Sequence, residues 1–397
     1  MSEKLKILVI PANEGGCAYY RAIMPFMKLQ EVCPDRVEVR LDKNPLGLDE
    51  KTGQWKDNWS FENMKWAHII VVSNISNFGG NYTARVIGKG KEFKKFVHFD
   101  TDDLLTELYD EHRLKKLYEE KGLSQLTKHL YYSSDLVTVT QSKFAERVEP
   151  FVAKCLAVVK NCIDYDLPCW NLPKKVGHRP IRIGWAGGIH HDPDVKEFAS
   201  VPHLVNQKVG QENVCWDFYG HPPKGDKDDP DDWQVDVWKG YKKTLLGGFK
   251  GHKNWTIHHA MGPDSYGGMY ANMDIAIAPL QMNNFNDSKS DIKVAECGRY
   301  KVPLVASNVG CYNDTIENWK TGYLIPPGAS KIKWVKVLTR LIKEHGLRKQ
   351  MGENLHVITE QDFNARNVVA SRINLYEECF KLTFDPRGRE DVADQDS

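Results

Sequence analysis

At 397 residues the chain exceeds what one hydrophobic core usually supports, so two domains are expected. Its hydrophobic share of 41% and charged share of 27% are ordinary for a globular protein. A formal net charge of +1 gives no overall field that would gather a polyanion or a membrane surface, although a local basic face can hide in a balanced total.

The first apolar run, Ile7 to Pro11, is too short for a signal-peptide core and far too short to span a bilayer. No other stretch approaches membrane length, and a cytoplasmic protein without a membrane partner is expected. The nine cysteines are an odd number without paired spacing. Cys155, Cys162 and Cys169 recur every seven residues, whereas zinc sites want pairs about two to four apart, so reduced, buried thiols are the expectation.

Short runs rich in Val and Ile alternate with helical patterns, which reads as βαβ units around parallel sheets. In the first half the predicted strands are Lys6–Ile10, Val37–Leu41, His68–Val72, Phe96–Phe99, Leu136–Thr140 and Leu156–Lys160. Residues 166–179, with two prolines and several basic residues, read as a linker. A second series follows: Ile181–Trp185, Val214–Tyr219, Trp255–His258, Ile275–Leu280, Leu304–Ala306 and Gly322–Ile325. Trp334, Leu338, Leu341 and Ile342 then share one helical face, and Ile373, Tyr376 and Phe380 make a last amphipathic stripe. Dense charge with Pro and Gly predicts a disordered tail over 385–397. The fold expected is α/β, two Rossmann-like domains facing each other across a cleft. Residues 1–165 make the first domain and 166–380 the second, with the last helix free to pack back on the first. Ligands in such sheets bind beyond the carboxyl ends of strands, so the strand-to-helix turns are where chemistry is sought.

The first such turn, ILVIPANEGGCAYYR, places Gly15 and Gly16 after a strand and Tyr20 and Arg21 at the opening of a helix. Adjacent glycines let backbone N–H groups approach a ligand, and a helix N-terminus favours phosphate. Arg21 is a candidate clamp for a phosphate of donor or acceptor. A mere tight turn reads as well, because neither a dinucleotide fingerprint nor a P-loop is present.

The fourth strand ends in FVHFDTDDLL. Asp100, Asp102 and Asp103 repel one another and need a cation, a shared proton or water. They fit a divalent metal site, the nucleophile and acid of a D-x-D phosphatase, or a carboxylate that orients or deprotonates an acceptor hydroxyl. For Asp103 the expected role is to cap a helix starting at Leu104.

The stretch APLQMNNFNDSKSDIKVAECGRYKVPLVASNVG carries most information. A strand feeds a polar loop, and a helix begins near Asp291. The amides of Ser290, Asp291 and Ile292 then stand where the helix macrodipole offers roughly half a positive charge. Lys289 and Lys293 add full charges. Glu296, a turn further on, is placed to take a ribose diol while the loop holds a diphosphate; a surface pairing with Lys293 or Tyr300 is the plainer alternative. His190–His191 and His258–His259 each offer one inward ligand at best, so no metal site is expected. His190 is the candidate donor to sugar or phosphate.

These residues resemble the retaining glycosyltransferases of family 4 and their relatives, which have the GT-B fold. Glu296 matches the second Glu of that family's pattern, and "VPLVASNVG" follows it as in the family. The first Glu position falls on Ser288, a departure. "FNDSKSDIKVAEC" is similar to a phage-type subgroup with F-N-x-x-K-S-x-x-K-x-x-E, in which Lys289 and Ser290 take over contacts to the donor. "RIGWAGGIHHDPDVKEF" is similar to the family's glycine turn, at Gly187 and Gly188. "YANMDIAIAPL" matches the strand before the donor loop, and Asn161 and Asp164 stand at the usual N-x-I-D. The Arg…Lys pair that many relatives place after the glycine turn is missing.

The resemblance implies a metal-independent transfer, with retention, from a nucleoside diphosphate sugar as co-substrate and with no other cofactor. Asp100 or Asp102 would orient the acceptor. The phage-type subgroup implies a hydroxymethylated pyrimidine in DNA as acceptor. The basic clusters Lys89, Lys91, Lys94, Lys95 and Lys242, Lys243, Lys250, Lys253 are the candidate phosphate-tracking faces. A glycan, lipid-linked or small-molecule acceptor is the alternative. From other classes, a phosphatase using Asp100 and Asp102 and a non-catalytic sugar-nucleotide-binding protein are also open.

Overall fold

Twelve short apolar runs become twelve strands, and every pairing among them is parallel. The computed structural model describes residues 4–49, 51–57, 59–174, 180–188, 191–221, 233–247, 249 and 251–384. The predicted tail 385–397 and the linker residues 175–179 lie outside the described residues.

The first sheet contains β1 (Leu5–Ile10), β2 (Val37–Leu41), β3 (Ile69–Ser73), β4 (Phe96–Asp100), β5 (Leu136–Val139) and β6 (Cys155–Val158), in the order β2-β1-β3-β4-β5-β6. β3, β4 and β5 are buried throughout, which is why their sequences are continuously apolar rather than alternating. The second sheet contains β7 (Ile181–Ala186), β8 (Val214–His221), β9 (Trp255–His259), β10 (Ile275–Ala278), β11 (Leu304–Ser307) and β12 (Gly322–Ile325). Its order, β12-β11-β10-β7-β8-β9, is that of the dinucleotide-binding Rossmann sheet, with its reversal of direction between β7 and β10. Two Rossmann-like α/β domains are thus present. The Trp216 ring, fully buried, lies 5.8 Å from Phe198 and 6.1 Å from Phe249, and Trp334 lies 5.2 Å from Phe198; these rings anchor the second core.

The chain divides into two compact units. One comprises the chain up to Leu108, Lys116–Asp164 and the chain from Ala365 on; the other comprises Tyr109–Lys115 and Tyr165–Asn364. The final helix, Ser371–Phe384, belongs to the first unit, where Tyr376 and Phe380 pack at 6.3 and 4.7 Å on the Phe96 ring. No helix among the described residues is long and apolar enough to cross a membrane, and the nine cysteines are free thiols.

A charged network joins the elements of the first unit. Arg21 lies in a π-helical turn, Tyr19–Ile23, and is fully buried together with Asp100 at the end of β4. Its Nε donates to Asp100 Oδ2 at 2.9 Å, Nη2 to Asp100 Oδ1, and Nη1 to Val159 O at 2.6 Å and Asn161 Oδ1 at 3.0 Å. Thr138 of β5 donates to the same carboxylate. Burial opposes the charge on both, yet Asp100 holds the guanidinium above its ordinary range and Arg21 holds the carboxyl below it. Asp164 accepts from the buried Lys28 at 3.1 Å. Arg21, Asp100, Asn161 and Asp164 therefore tie the helix after β1 to β4 and to the chain leaving β6.

Changing Asp100 to Asn would leave Arg21 as an unpaired buried cation. The expected loss is about 3–5 kcal/mol in urea unfolding, and a loss under about 1 kcal/mol would mean the pair does not hold this domain together. His98 gives a pH dependence. Its ring bonds Tyr376 Oη at 2.9 Å and Thr138 Oγ1 at 2.7 Å, and burial pushes it down to about 3. The unfolded chain takes up that proton near pH 6.5 and the folded chain does not, so this stability is complete above about pH 6.5 and declines as pH falls. His98→Gln should flatten unfolding free energy against pH between about 6.5 and 4; an unchanged slope would refute the assignment.

Candidate functional site

In the second unit the loops after β7 and β10 flank the reversal of strand order, where a ligand is expected in such sheets. β7 ends in a tight turn. Gly187 N donates to Tyr219 O at 3.1 Å, and a Cβ at Gly187 would lie 2.3 Å from the Trp185 ring. Gly220, at φ +122°, is needed because a Cβ there would come within 2.2 Å of Gly187 O. Gly188, by contrast, has open space above it, so its backbone can be approached by a ligand. His190 lies outside the described residues. Its neighbour His191 precedes the helix Asp192–Phe198.

The loop after β10 is built by its own side chains. Asn283 caps the short helix Asn284–Asp287 by accepting from Asn286 N at 2.8 Å. Ser288 is fully buried and donates back to Asn284 O at 2.9 Å. Asp287 accepts from Gly310 N at 3.1 Å, and Gly310, at φ +74°, sits where a Cβ would lie 3.2 Å from Lys289 O. Lys289 Nζ lies 4.4 Å from the centre of the Phe285 ring. Asp291 is the N-cap residue of the helix Ile292–Arg299, whose first amides lack intrahelical acceptors.

Asp194 joins the two loops, and the sequence reading did not find it. Its carboxylate is 1% exposed; it bonds His191 Nδ1 at 2.7 Å and accepts from Gln281 N at 2.8 Å and Asn286 Nδ2 at 2.9 Å. The only signal was an acid three residues after a histidine in a first helical turn. Burial pushes the His191 imidazole down, Asp194 pulls it up, and Lys289 and Lys293 push it down again. Lys293 Nζ donates to Ala186 O at 2.6 Å, which ties the helix to the last residue of β7.

Glu296 is 2% exposed, which removes the surface pairing as its role. Tyr270 Oη donates to its Oε2. Burial pushes its carboxyl up, and Lys293 with the Tyr270 bond pulls it back. Gly187, Gly188, Lys289, Ser290, Asp291, Ile292 and Glu296 are thus all carried by the elements flanking one strand reversal. Tyr109 and His112, from the first half of the sequence, cover the same loop: their rings stand 6.1 and 4.7 Å from Phe285. Nothing in their local sequence marks this.

In the first unit, Gly15 donates to Asn13 Oδ1 at 2.7 Å, and Gly15 and Gly16 open the helical segment Gly16–Ala18 after β1. Tyr20 is buried, with its ring 5.5 Å from Tyr19. Arg21 and Asp100 are corrections. Arg21 was expected to clamp a phosphate and Asp100 to meet an acceptor, and each is instead enclosed and paired with the other. That pairing also disables Asp100 as a phosphatase nucleophile. No helix starts at Leu104, where the chain makes turns, so Asp103 is not a helix cap there. Asp102 accepts from Asn74 Nδ2 at 2.8 Å. Burial and then Asp103 push it up, and Asn74, the Cys17 thiol and Arg21 pull it back. It is the aspartate beside the Gly15–Gly16 turn.

Most of the chain aligns with solved structures. Sucrose-phosphate synthase from Thermosynechococcus elongatus aligns with a TM-score of 0.67 at 12% identity, over 95% of this chain and 99% of that one. Anabaena Alr3699/HepE, in complex with UDP and glucose, aligns with a TM-score of 0.64 at 11% identity, over 94% and 99%. The chain is therefore an α/β protein of the GT-B fold. Residues 250–356 match the family described as Glycosyl transferases group 1. Over 125 residues the chain is 26% identical to the capsular polysaccharide biosynthesis glycosyltransferase CapM of Staphylococcus aureus, a match spanning 32% of this chain and 30% of that protein. Within the second unit, residues 250–356 are thus similar to glycosyltransferases of group 1.

Replacing Asp194 with Ala removes three partners at once. At about 1 kcal/mol per bond, amides from Gln281 into the following loop should exchange roughly tenfold to a hundredfold faster by hydrogen–deuterium mass spectrometry. Native-like exchange there would show that the loop is held by something else.

Proposed function

We propose that this chain is a retaining, metal-independent glycosyltransferase that moves a sugar from a nucleoside diphosphate sugar to an acceptor hydroxyl. The observation that carries the reading is the meeting, around one strand reversal, of an open glycine turn, a lysine-bearing loop at a helix N-terminus and a buried carboxylate one turn along that helix. The amides of Ser290, Asp291 and Ile292, with Lys289, hold the diphosphate; Gly187 and Gly188 let it approach backbone; Glu296 accepts from the ribose hydroxyls. UDP and glucose in HepE make uridine nucleotides the first donors to try.

In the reaction, the bond from the anomeric carbon to the phosphate oxygen breaks and its electron pair leaves with the diphosphate. The acceptor oxygen bonds the same face of that carbon, and its proton passes to the departing phosphate. Lys289 and the fixed amides stabilise the leaving charge, a contribution of about a hundredfold or more per donor. Protein cations take the place of a metal. With Asp100 engaged by Arg21, Asp102 is the aspartate that would orient the acceptor. Ser288 at the position of the family's first Glu means that the diphosphate contacts rest on Lys289 and backbone.

For the acceptor we favour a glycan over a hydroxymethylated pyrimidine in DNA. Of the basic cluster considered for DNA, Lys89 pairs with Glu92 at 2.6 Å, Lys91 pairs with Asp135 at 2.8 Å, and Lys95 donates to Lys65 O at 2.6 Å. In the other cluster Lys250 lies outside the described residues.

The test is incubation with a panel of nucleotide sugars, alone and with glycans or hydroxymethylated DNA, followed by mass spectrometry. Lys289→Met and Glu296→Gln should each lower kcat/KM by about a hundredfold or more, and NMR of the first product should show a retained anomeric configuration. Full activity in both variants would sink the site. Donor binding without turnover would indicate a binding protein, and DNA labelling with a steep salt dependence would overturn the glycan assignment.

A further inference from the structure

The helix Gly80–Glu92 contains three glycines besides its capping residue, and two of them have a packing reason. A Cβ at Gly80 would lie 2.2 Å from Leu126, and one at Gly90 would lie 3.0 Å from Val97. At Gly88 it would meet nothing within 4 Å. A glycine in an exposed helix interior weakens the helix, so the space it leaves calls for an explanation.

That space is part of a groove of about 710 Å³ whose walls include Trp55, Trp59 and Phe61. The two tryptophans are 41% and 36% exposed, yet both are held. Trp59 Nε1 donates to Pro45 O at 2.7 Å, and its ring lies against Gly47, where a Cβ would come within 2.3 Å. Trp55 stacks on Tyr82 at 6.1 Å and 7°, and Tyr82 Oη donates to Asn44 at 3.0 Å. Arg85 lies 4.8 Å over Trp55. Held, part-exposed indoles over a glycine floor suit a ring-shaped ligand, because little side-chain entropy is lost on binding.

The rim decides which ring. It carries Lys56, Arg85 and Lys89, but also Asp57 and Glu92. A polynucleotide brings one negative charge per nucleotide, and with Lys89 already paired to Glu92 and Asp57 beside Lys56 the rim offers little net positive charge to meet it. A sugar brings hydroxyls that need acceptors as well as donors, and its apolar C–H face needs an aromatic wall. We propose that this groove, in the first unit, binds an oligosaccharide segment.

The test uses the full chain on an array of neutral, aminosugar and uronate oligosaccharides, with single-stranded dT15 in parallel. Native protein should bind at least one glycan class saturably, with a change in tryptophan fluorescence. Gly88→Leu, which fills the floor, and Trp55→Ala should each weaken that binding tenfold or more. Leu is the better helix former, so the thermal midpoint of Gly88→Leu should not fall, and loss of binding cannot then be put down to misfolding. Hydrolysis of a nucleotide sugar should be unchanged in that variant. This separates failure of the groove from failure of the transferase reading, since each activity is read alone. No retained glycan on native protein, native-like binding by Gly88→Leu, or tighter binding of dT15 than of any glycan would overturn the proposal.

Discussion

The second unit depends on one buried carboxylate. A parallel sheet ends in loops that have no ladder of their own, and two such loops, after β7 and after β10, must be fixed against each other if they are to share a ligand. Asp194 does this by engaging a side chain of the first loop and a main-chain and a side-chain amide of the second. A carboxylate suits the task because it accepts at several lone-pair sites, and charge-assisted bonds are the stronger kind. Lys293 makes the complementary tie from the helix back to Ala186.

Three buried carboxylates in this chain illustrate how surroundings decide what an acid does. Asp100 faces a guanidinium in bidentate contact and is a structural strut. Asp194 faces amides and an imidazole and fixes loops. Glu296 has a phenol on one oxygen and a lysine a turn away, and burial pushes its carboxyl up. A buried acid that is incompletely compensated is where a polar ligand has most to offer, since each hydroxyl it donates replaces lost hydration.

The strands were legible because burial on both faces demands continuous apolar runs, and all twelve fall within about two residues of where periodicity placed them. The glycine turns and the helix after Asp291 were legible for the same local reason. What a sequence does not display is pairing at a distance. Arg21 and Asp100 are 79 residues apart, and each looked like a free functional group until the fold put one on the other. Asp194 meets Asn286 across 92 residues, and His112 meets Phe285 from the other half of the chain. The expected helix at Leu104 failed through a local misjudgement: a cap-like Asp103 precedes leucines that the chain turns inward, with Leu104 fully buried, instead of winding into a helix.

The placement of positive groups in the second unit also argues for an anion. Lys289, Lys293 and His191 are near enough that both lysines push the imidazole down. Two lysines gathered at a helix N-terminus, whose dipole is positive too, destabilise a free protein, and the depressed imidazole of His191 stays neutral beside them. Each is nevertheless anchored: Lys289 over Phe285, Lys293 on a strand carbonyl, His191 on Asp194. Anchoring that keeps mutually repelling groups together contributes nothing to folding by itself. It makes sense as preorganisation, in which the repulsion is built into the fold and would be relieved by a bound anion, which on the proposed reading is the departing diphosphate.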